Sequence, residues 1–226
     1  GAHGRGWYEV QDESSQLAAQ LAAAEPRAQV IDICAGAGGK TLAFGAAMQN
    51  TGQLYAYDRD KAQLRPIFDR VRRAGVRNLQ VVDAGDRKAL TALGPRFDLV
   101  FVDAPCSGSG TWRRRPDAKW RLSERQLSAR IAEQRNALAD ATALVKPGGR
   151  LVYATCSVLP EENTEQVAWF REAHADFDLQ PFGERWAETI GGAAPQSADG
   201  RDDTLLLSPG QHGTDGFFMA FFTGRG

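Results

Sequence analysis

The chain has 226 residues, 42% of them hydrophobic, enough for one large domain with a proper core or two small ones. Its 27 Lys and Arg nearly cancel its 28 Asp and Glu, which excludes a histone-like basic protein and leaves polyanion binding to local patches. No apolar run approaches the ~20 residues of a membrane span, no secretory signal opens the chain, and the odd, widely spaced Cys34, Cys106 and Cys156 point to a reduced cytoplasm rather than a disulfide framework. Residues 1–6 are set aside as a cloning remnant or linker, and 7–226 are expected to form a single domain.

The elements alternate between short β-branched runs and longer amphipathic stretches. Asp12 to Ala24 predicts a helix closed by Pro26. Val30 to Cys34 is a buried-type strand running into the glycine loop Gly36-Ala37-Gly38-Gly39, with a helix from about Lys40. Leu54 to Tyr57 is a strand ending at Asp58. Leu64, Ile67, Phe68 and Val71 then mark the apolar face of a helix that Pro66 delays to about Arg65. Leu79 to Val82 and Phe97 to Val102 are further strands, each ending in an acid, Asp83 and Asp103. Ser123 and Gln126 form a capping box for a long helix reaching Val145, where Lys146-Pro147-Gly148-Gly149 stops it. Arg150 to Ala154 is the fifth strand, and Pro160-Glu161-Glu162 opens another helix. Gly183 to Gly213 is expected to be a surface excursion, with Leu205 to Leu207 and Phe217 to Phe222 as two last strands. Five βα alternations followed by a strand pair predict a doubly wound α/β sheet, with ligands beyond the carboxyl ends of its strands.

A strand, a glycine turn and a helix N-terminus let backbone amides approach a ligand closely. Asp58 stands 20 residues after Gly38, the usual place for a carboxylate on two ribose hydroxyls. This half fits a nicotinamide dinucleotide or S-adenosylmethionine equally. The spacing G-x-G-G rather than G-x-G-x-x-G lowers the dinucleotide reading. Asp32 could instead be a buried partner for the loop amides.

The other half carries thiols. Asp103-Ala104-Pro105-Cys106-Ser107-Gly108 leaves the fourth strand and Tyr153-Ala154-Thr155-Cys156-Ser157 the fifth. If those strands are parallel neighbours, roughly 5 Å apart, both thiols and Asp103 face one pocket. No C-x-x-C and no further ligands at metal spacing accompany them, so no metal is expected. The trio suits methylation of cytosine C5, a carbon that is barely nucleophilic. A thiolate adding to C6 makes C5 attack an electrophilic methyl, a carboxyl group shares a proton with N3, and a base then removes the C5 proton so that the thiol is expelled.

Asp32-Ile33-Cys34-Ala35-Gly36-Ala37-Gly38-Gly39-Lys40-Thr41 and the two cysteine loops resemble the RNA (cytosine-5) methyltransferase family. Arg114 to Trp120, Leu159 to Asn163, Val10 to Gln16 and Asp215 to Phe218 extend the likeness to its bacterial Fmu/Sun branch, which modifies small-subunit ribosomal RNA. The resemblance implies a seven-stranded, mostly parallel sheet of the class I S-adenosylmethionine-dependent methyltransferase type, with an antiparallel terminal strand. It implies Cys156 as nucleophile at C6, Cys106 as the aid to elimination, Asp103 paired with the cytosine, and Lys40 reaching toward the active site. Cys34, Ala35, Gly36, Ala37, Gly38, Gly39 and Lys40 would wrap the methionine and ribose, with Asp103 close to the methionine part. Asp58 would hold the ribose hydroxyls and Asp83 would sit near the adenine, with Asp86 as its rival. The family usually has Ala-Ala-Pro-Gly where this chain has Ala35-Gly36-Ala37-Gly38, and the branch usually carries an N-terminal helical RNA-binding domain that this chain does not supply.

Arg113, Arg114, Arg115 and Lys119, with Trp112 and Trp120 beside them, offer cations and stacking rings next to the Pro-Cys loop, suited to RNA phosphates and an unstacked base. Arg70, Arg72, Arg73 and Arg77 form a second basic stretch that is either RNA-facing or simply solvated. The expected partners are therefore S-adenosylmethionine and RNA, ribosomal RNA first, with no membrane and a monomer by default. An oxidoreductase on the same fold would leave both cysteine loops unused. A non-catalytic RNA-binding relative is the remaining alternative.

Overall fold

The computed structural model describes residues 1–225. Its strands are β1 (Gln29–Asp32), β2 (Gln53–Ala56), β3 (Leu79–Val81), β4 (Phe97–Asp103), β5 (Val145–Thr155), β6 (Phe177–Gln180), β7 (Leu205–Leu207) and β8 (Phe217–Gly224). The helices are α1 (Glu13–Ala22), α2 (Gly39–Ala47), α3 (Lys61–Leu64), α4 (Ile67–Ala74), α5 (Arg87–Thr91), α6 (Pro116–Lys119), α7 (Glu124–Thr142), α8 (Thr164–Ala173), α9 (Phe182–Thr189) and α10 (Pro209–His212). One sheet runs β3-β2-β1-β4-β5-β8-β6, with β7 pairing β8 as an eighth strand off that path. The first five strands on the path are parallel to one another, and β8 runs antiparallel between β5 and β6. This is the mostly parallel, doubly wound sheet expected, with one short strand added.

Alternation along each strand builds the two cores. Ile31, Val100, Val102, Leu151, Tyr153 and Phe222 face α7 and α8, which contribute Leu138 and Phe170. Val30, Leu99, Phe101, Val152 and Phe221 face α1 and α2, which contribute Leu21, Phe44 and Met48. Both faces of the central strands are covered, so their runs are continuously apolar. The order of strands reverses direction between β1 and β4, and the crevice at that switch point is where ligands settle on such sheets.

Four local readings change. Lys146 to Gly149 does not end a helix before a new strand. It lies inside β5, where the ladder to β4 shifts register between Phe97 and Leu99, so the turn signal marks a bulge. Phe68 is exposed, because α4 leans on the loop after β1 mainly through Ile67 and has no wider apolar seat. The stretch from Gly183 is not all excursion, since α9 runs to Thr189, buries Phe182 and half-buries Trp186. Phe177–Gln180, too short for a sequence signal, is the strand β6 that covers the outer edge of β8. The Ser123–Gln126 capping box forms as expected. Asp12 caps α1 by accepting from the Ser14 amide.

Residues ahead of α1 are tied down. His3–Arg5 form a 3₁₀ turn, and Glu9 pairs with Arg70, at 3.2 Å, and with Arg73. Arg70 also donates to the Ala37 carbonyl, at 2.8 Å, bracing the glycine loop at the position where the resembled family has proline. Arg70 and Arg73 are thus engaged within the fold, and Arg72 pairs with Asp69 on the same helix.

Candidate active site

The fourth and fifth strands leave the sheet in step. Asp103 stands opposite Ala154, and the Ala104 amide donates to the Ala154 carbonyl at 2.8 Å. This register brings the Cys106 and Cys156 sulfurs to 3.4 Å, both as free thiols. The pair cannot ionise twice, so its titration splits. The hydrogen bond from Cys106 holds the Cys156 thiol below its ordinary value, with Lys40 adding to the effect against the cost of burial. Cys106 is pushed well up by the same bond, by burial, and by the charges of Cys156 and Glu162. The two sulfurs therefore ionise unevenly, with Cys156 the readier of the pair to form the thiolate, which is the nucleophilic form.

Lys40, in the first turn of α2, reaches back to Asp103 with Nζ 2.6 Å from Oδ2, and its ammonium lies 5.0 Å from the Phe217 ring centre. The ion pair keeps Asp103 an acceptor and makes Lys40 the donor of the two. Behind them Asp32 is fully buried. Its Oδ2 accepts from Thr41 Oγ1 at 2.7 Å, while Oδ1 has no partner, so it does not serve the loop amides. Burial, with Asp103 nearby, lifts this carboxyl from 3.8 to about 7. A group that keeps its proton in the folded state and loses it when unfolded makes stability fall as pH rises through that window. The full span corresponds to about 4 kcal/mol. Asp32→Asn is therefore expected to flatten the dependence of melting temperature on pH between about 4 and 7. Parallel curves for the two proteins would show that Asp32 is not the group involved.

The loop after β1 forms the other wall. Gly38 sits at φ 84°, where a Cβ would meet Ile67 at 2.5 Å, so α2 can start only with glycine there. A Cβ on Gly36 would meet nothing within 4 Å, because that face opens on the cleft. Asp58, just beyond β2, accepts from the Gly36 and Asp60 amides, each at 2.8 Å, and keeps lone pairs on both oxygens. Two adjoining clefts result. One, of about 560 Å³, is lined by Cys34, Lys40, Asp103, Cys106 and Cys156. The other, of about 520 Å³, is lined by Cys34, Asp58, Asp60, Gln63 and Pro105. A carboxylate at the end of β2, a glycine face without side chains and the unpartnered Asp32 oxygen fit a nucleoside joined to an amino-acid tail. Asp83 is exposed and borders neither cleft. Asp86 is engaged as the N-cap of α5, accepting from the Ala89 amide at 2.9 Å.

The arginine run divides. Arg113 and Arg114 both bind Asp215, at 3.2 Å and, through Arg114 Nε, at 2.7 Å. Asp215 is buried, and its carboxyl is depressed by the two guanidiniums against that burial. Arg115 lines the larger cleft and makes no ion pair among the described residues. Lys119 lies between Trp112 and the largely exposed Trp120, at 6.0 and 5.5 Å from their rings. The Arg–Asp215 clamp ties the stretch after the Pro-Cys loop to the start of β8. Asp215→Ala is expected to cost about 1–3 kcal/mol in denaturant unfolding. A difference under about 0.5 kcal/mol would place the clamp among ordinary surface pairs.

Sequence reasoning missed the polar frame behind the thiols. Thr155 donates to Asn163 Oδ1, and Asn163 donates to the Ser157 carbonyl. The Ser109 and Ser157 hydroxyls are 2.9 Å apart. Glu162 accepts from Ser107. The available signal was the serine that follows each cysteine. Among the described residues no cluster of three or more His, Cys, Asp or Glu could hold a metal, and no helix is long and apolar enough to cross a membrane.

Residues 19–223 match the family described as 16S rRNA methyltransferase RsmB/F. The ribosomal RNA small subunit methyltransferase B of Sodalis glossinidius is 37% identical over 216 residues, covering 96% of this chain and 46% of that protein. Its counterpart in Erwinia tasmaniensis is 37% identical, with 96% and 47% covered. This chain thus spans about half the length of the curated relatives it matches. Among solved structures, NSun6 from Pyrococcus horikoshii with SFG superposes with a TM-score of 0.85 at 27% identity, covering all of this chain and 55% of that one.

Proposed function

From the premise that this chain belongs to the 16S rRNA methyltransferase RsmB/F family, we propose that it methylates C5 of a cytosine in RNA, ribosomal RNA first, using S-adenosylmethionine. The observation that carries this reading is the pair of sulfurs 3.4 Å apart beside Lys40 and Asp103, with Cys156 the more readily ionised of the two. Two adjacent thiols of unlike acidity fit a reaction in which one must attack and the other must later take a proton.

Cys34, Ala35, Gly36, Ala37, Gly38 and Gly39 would hold the methionine and ribose part, with Asp58 on the ribose hydroxyls and Asp103 near the methionine. When bound, S-adenosylmethionine supplies an electrophilic methyl group. The chain's own residues then have these tasks. The Cys156 sulfur forms a bond to C6, and the electron pair of the C5–C6 double bond becomes available at C5. Asp103 accepts from the cytosine N–H groups, and the Lys40 ammonium is the acid of that pair near N3. Once the Cys156 charge has gone into the S–C6 bond, the largest of the effects that held Cys106 neutral is lifted, leaving burial and Glu162. Cys106 releases its proton to water in the open cleft, and its thiolate takes the proton from C5. The C5–H pair restores the double bond, and the C6–S pair returns to Cys156. The two sulfurs end as they began, thiol and thiolate. Arg115, Lys119 and the exposed face of Trp120 would meet the RNA, and Arg113 and Arg114 would add charge from their clamp on Asp215.

The test is to incubate the protein with labelled S-adenosylmethionine and unmodified ribosomal RNA, then digest and identify the labelled nucleoside. Label in 5-methylcytidine is the expected result. Label in another nucleoside would overturn the assignment of the reaction. Cofactor binding with no label in RNA would favour a non-catalytic scaffold.

A further inference from the structure

Glu162 is fully buried, and no ion pair involves it among the described residues. It stands in the 3₁₀ turn Pro160–Glu162, beyond the end of β5. Its Oε1 accepts from the Ser107 amide at 2.7 Å and from Gln134 Nε2 at 3.1 Å. Its Oε2 accepts from the Ser107 hydroxyl at 2.5 Å. Gln134, on α7, also donates to the Pro105 carbonyl at 3.0 Å. The residues on both sides of Cys106 are therefore held by one buried carboxylate and the amide bonded to it. Tyr153 fixes the turn itself, donating to the Glu162 carbonyl at 2.6 Å. All three contacts to the carboxyl oxygens come from donors, the pattern an ionised group requires. A buried charge satisfied by hydrogen bonds alone is a costly feature for a fold to carry. An Asn or Gln in its place could make most of the same bonds, so its negative charge calls for a reason.

We propose that Glu162 is the positioning residue for Cys106, seating the thiol against Cys156 through Ser107 and Gln134. The proposal rests on the reading of Cys106 as the eliminating group. Its charge has a second effect, because it stands on the Cys106 side of the pair while Lys40 stands on the Cys156 side. The groups around Cys106 are Cys156 and Tyr153 from β5 and its loop, Glu162 from the turn, Asp103 from the end of β4, Lys40 from α2 and Arg114 from the stretch beyond. Of these, Cys156 and Glu162 supply the negative charges that oppose ionisation of Cys106. Glu162 thereby adds to the bias against ionising Cys106 that the bond to Cys156 and burial set first.

Iodoacetamide labelling, with the Cys106 and Cys156 peptides resolved by mass spectrometry, reads each thiol separately in the RNA-free protein. In the wild type Cys156 is expected to react about tenfold faster than Cys106 near neutral pH. Glu162→Gln keeps the shape of the site, since the Ser107 hydroxyl can turn to accept from the new amide. In that variant Cys106 is expected to react roughly three- to tenfold faster, with its pH midpoint shifted down, in protein shown by melting to be folded. A Cys106 rate and midpoint matching the wild type would overturn the proposal. Should Glu162→Gln not fold, Ser107→Ala keeps the charge and removes one anchor. It is expected to raise the Cys106 rate about two- to threefold with the midpoint unmoved, and an unchanged rate would count against the seating role. The labelling needs no methyl transfer, so an inactive wild type would sink the proposed reaction and still leave this assignment decided.

Discussion

Cys156→Ala is expected to reduce methyl transfer by about 10⁴-fold or more, the scale of losing a nucleophile, while S-adenosylmethionine binding is unchanged. The substitution removes one sulfur from a half-buried site and leaves the glycine loop, Asp58 and the Lys40–Asp103 pair untouched. Its cost to stability is small, of order 1 kcal/mol. Its consequence for the neighbour is larger, because the hydrogen bond to Cys156 is the main reason the Cys106 thiol is raised. With the partner gone, Cys106 moves back toward an ordinary thiol, but nothing then holds it as a thiolate at neutral pH. Turnover retained in this variant, with an RNA adduct mapped to Cys106, would reverse the assignment of the two sulfurs.

Cys106→Ala is expected to do the opposite. Cys156 can still attack, so a covalent protein–RNA complex should build up to about one per protein and appear as a slow band on a denaturing gel. Turnover should fall by about 10²–10⁴, the usual contribution of a positioned acid–base group. The complex should need S-adenosylmethionine for full yield and vanish in the double variant with Cys156→Ala. A variant that turns over slowly with no trapped band would mean that elimination does not depend on the second thiol. The resting ionisation also changes, since Cys156 loses the S–H donor that lowers it most and keeps only Lys40 and a backbone hydrogen bond on that side. The rate of adduct formation should therefore depend more steeply on pH in this variant than in the wild type.

Much of this site could be read from the sequence, and the reasons are local. Acids closing the second and fourth strands, Asp58 and Asp103, mark carboxyl ends, and a Pro-Cys and a Thr-Cys loop at such ends must share an edge if their strands are neighbours. Asp12 and Ser123 announce helix starts because capping is a contact of near sequence neighbours. Contacts between distant segments were hidden. Glu9 meets Arg70 and Arg73 across more than 60 residues, so a basic face that looked free for RNA is partly used within the fold. Asp215 meets Arg113 and Arg114 across about 100 residues, so two of the four expected RNA contacts also brace the fold. Glu162 looked like an ordinary acid at a helix start, because burial is decided by what packs over the turn. The bulge at 146–149 misled for a related reason, since Pro and Gly mark a break in geometry without saying whether the strand resumes its ladder.

The insertion of β8 between β5 and β6 orders events in time as well as in space. During synthesis the parallel half of the sheet leaves the ribosome first, with both cysteines, Lys40 and Asp103 already made. Its edge at β5 then waits for Phe217 to Gly224, the last of the described strands in chain order. The same late segment brings Gly216, whose amide donates to Gly110 at 2.9 Å, and Asp215, which fastens the arginines. Until then the two thiols sit beside an open strand edge able to pair with other chains. A nascent chain stalled near residue 210 would hold every reactive group and still lack the wall that Phe217 supplies, leaving it poorly formed for chemistry and prone to aggregate.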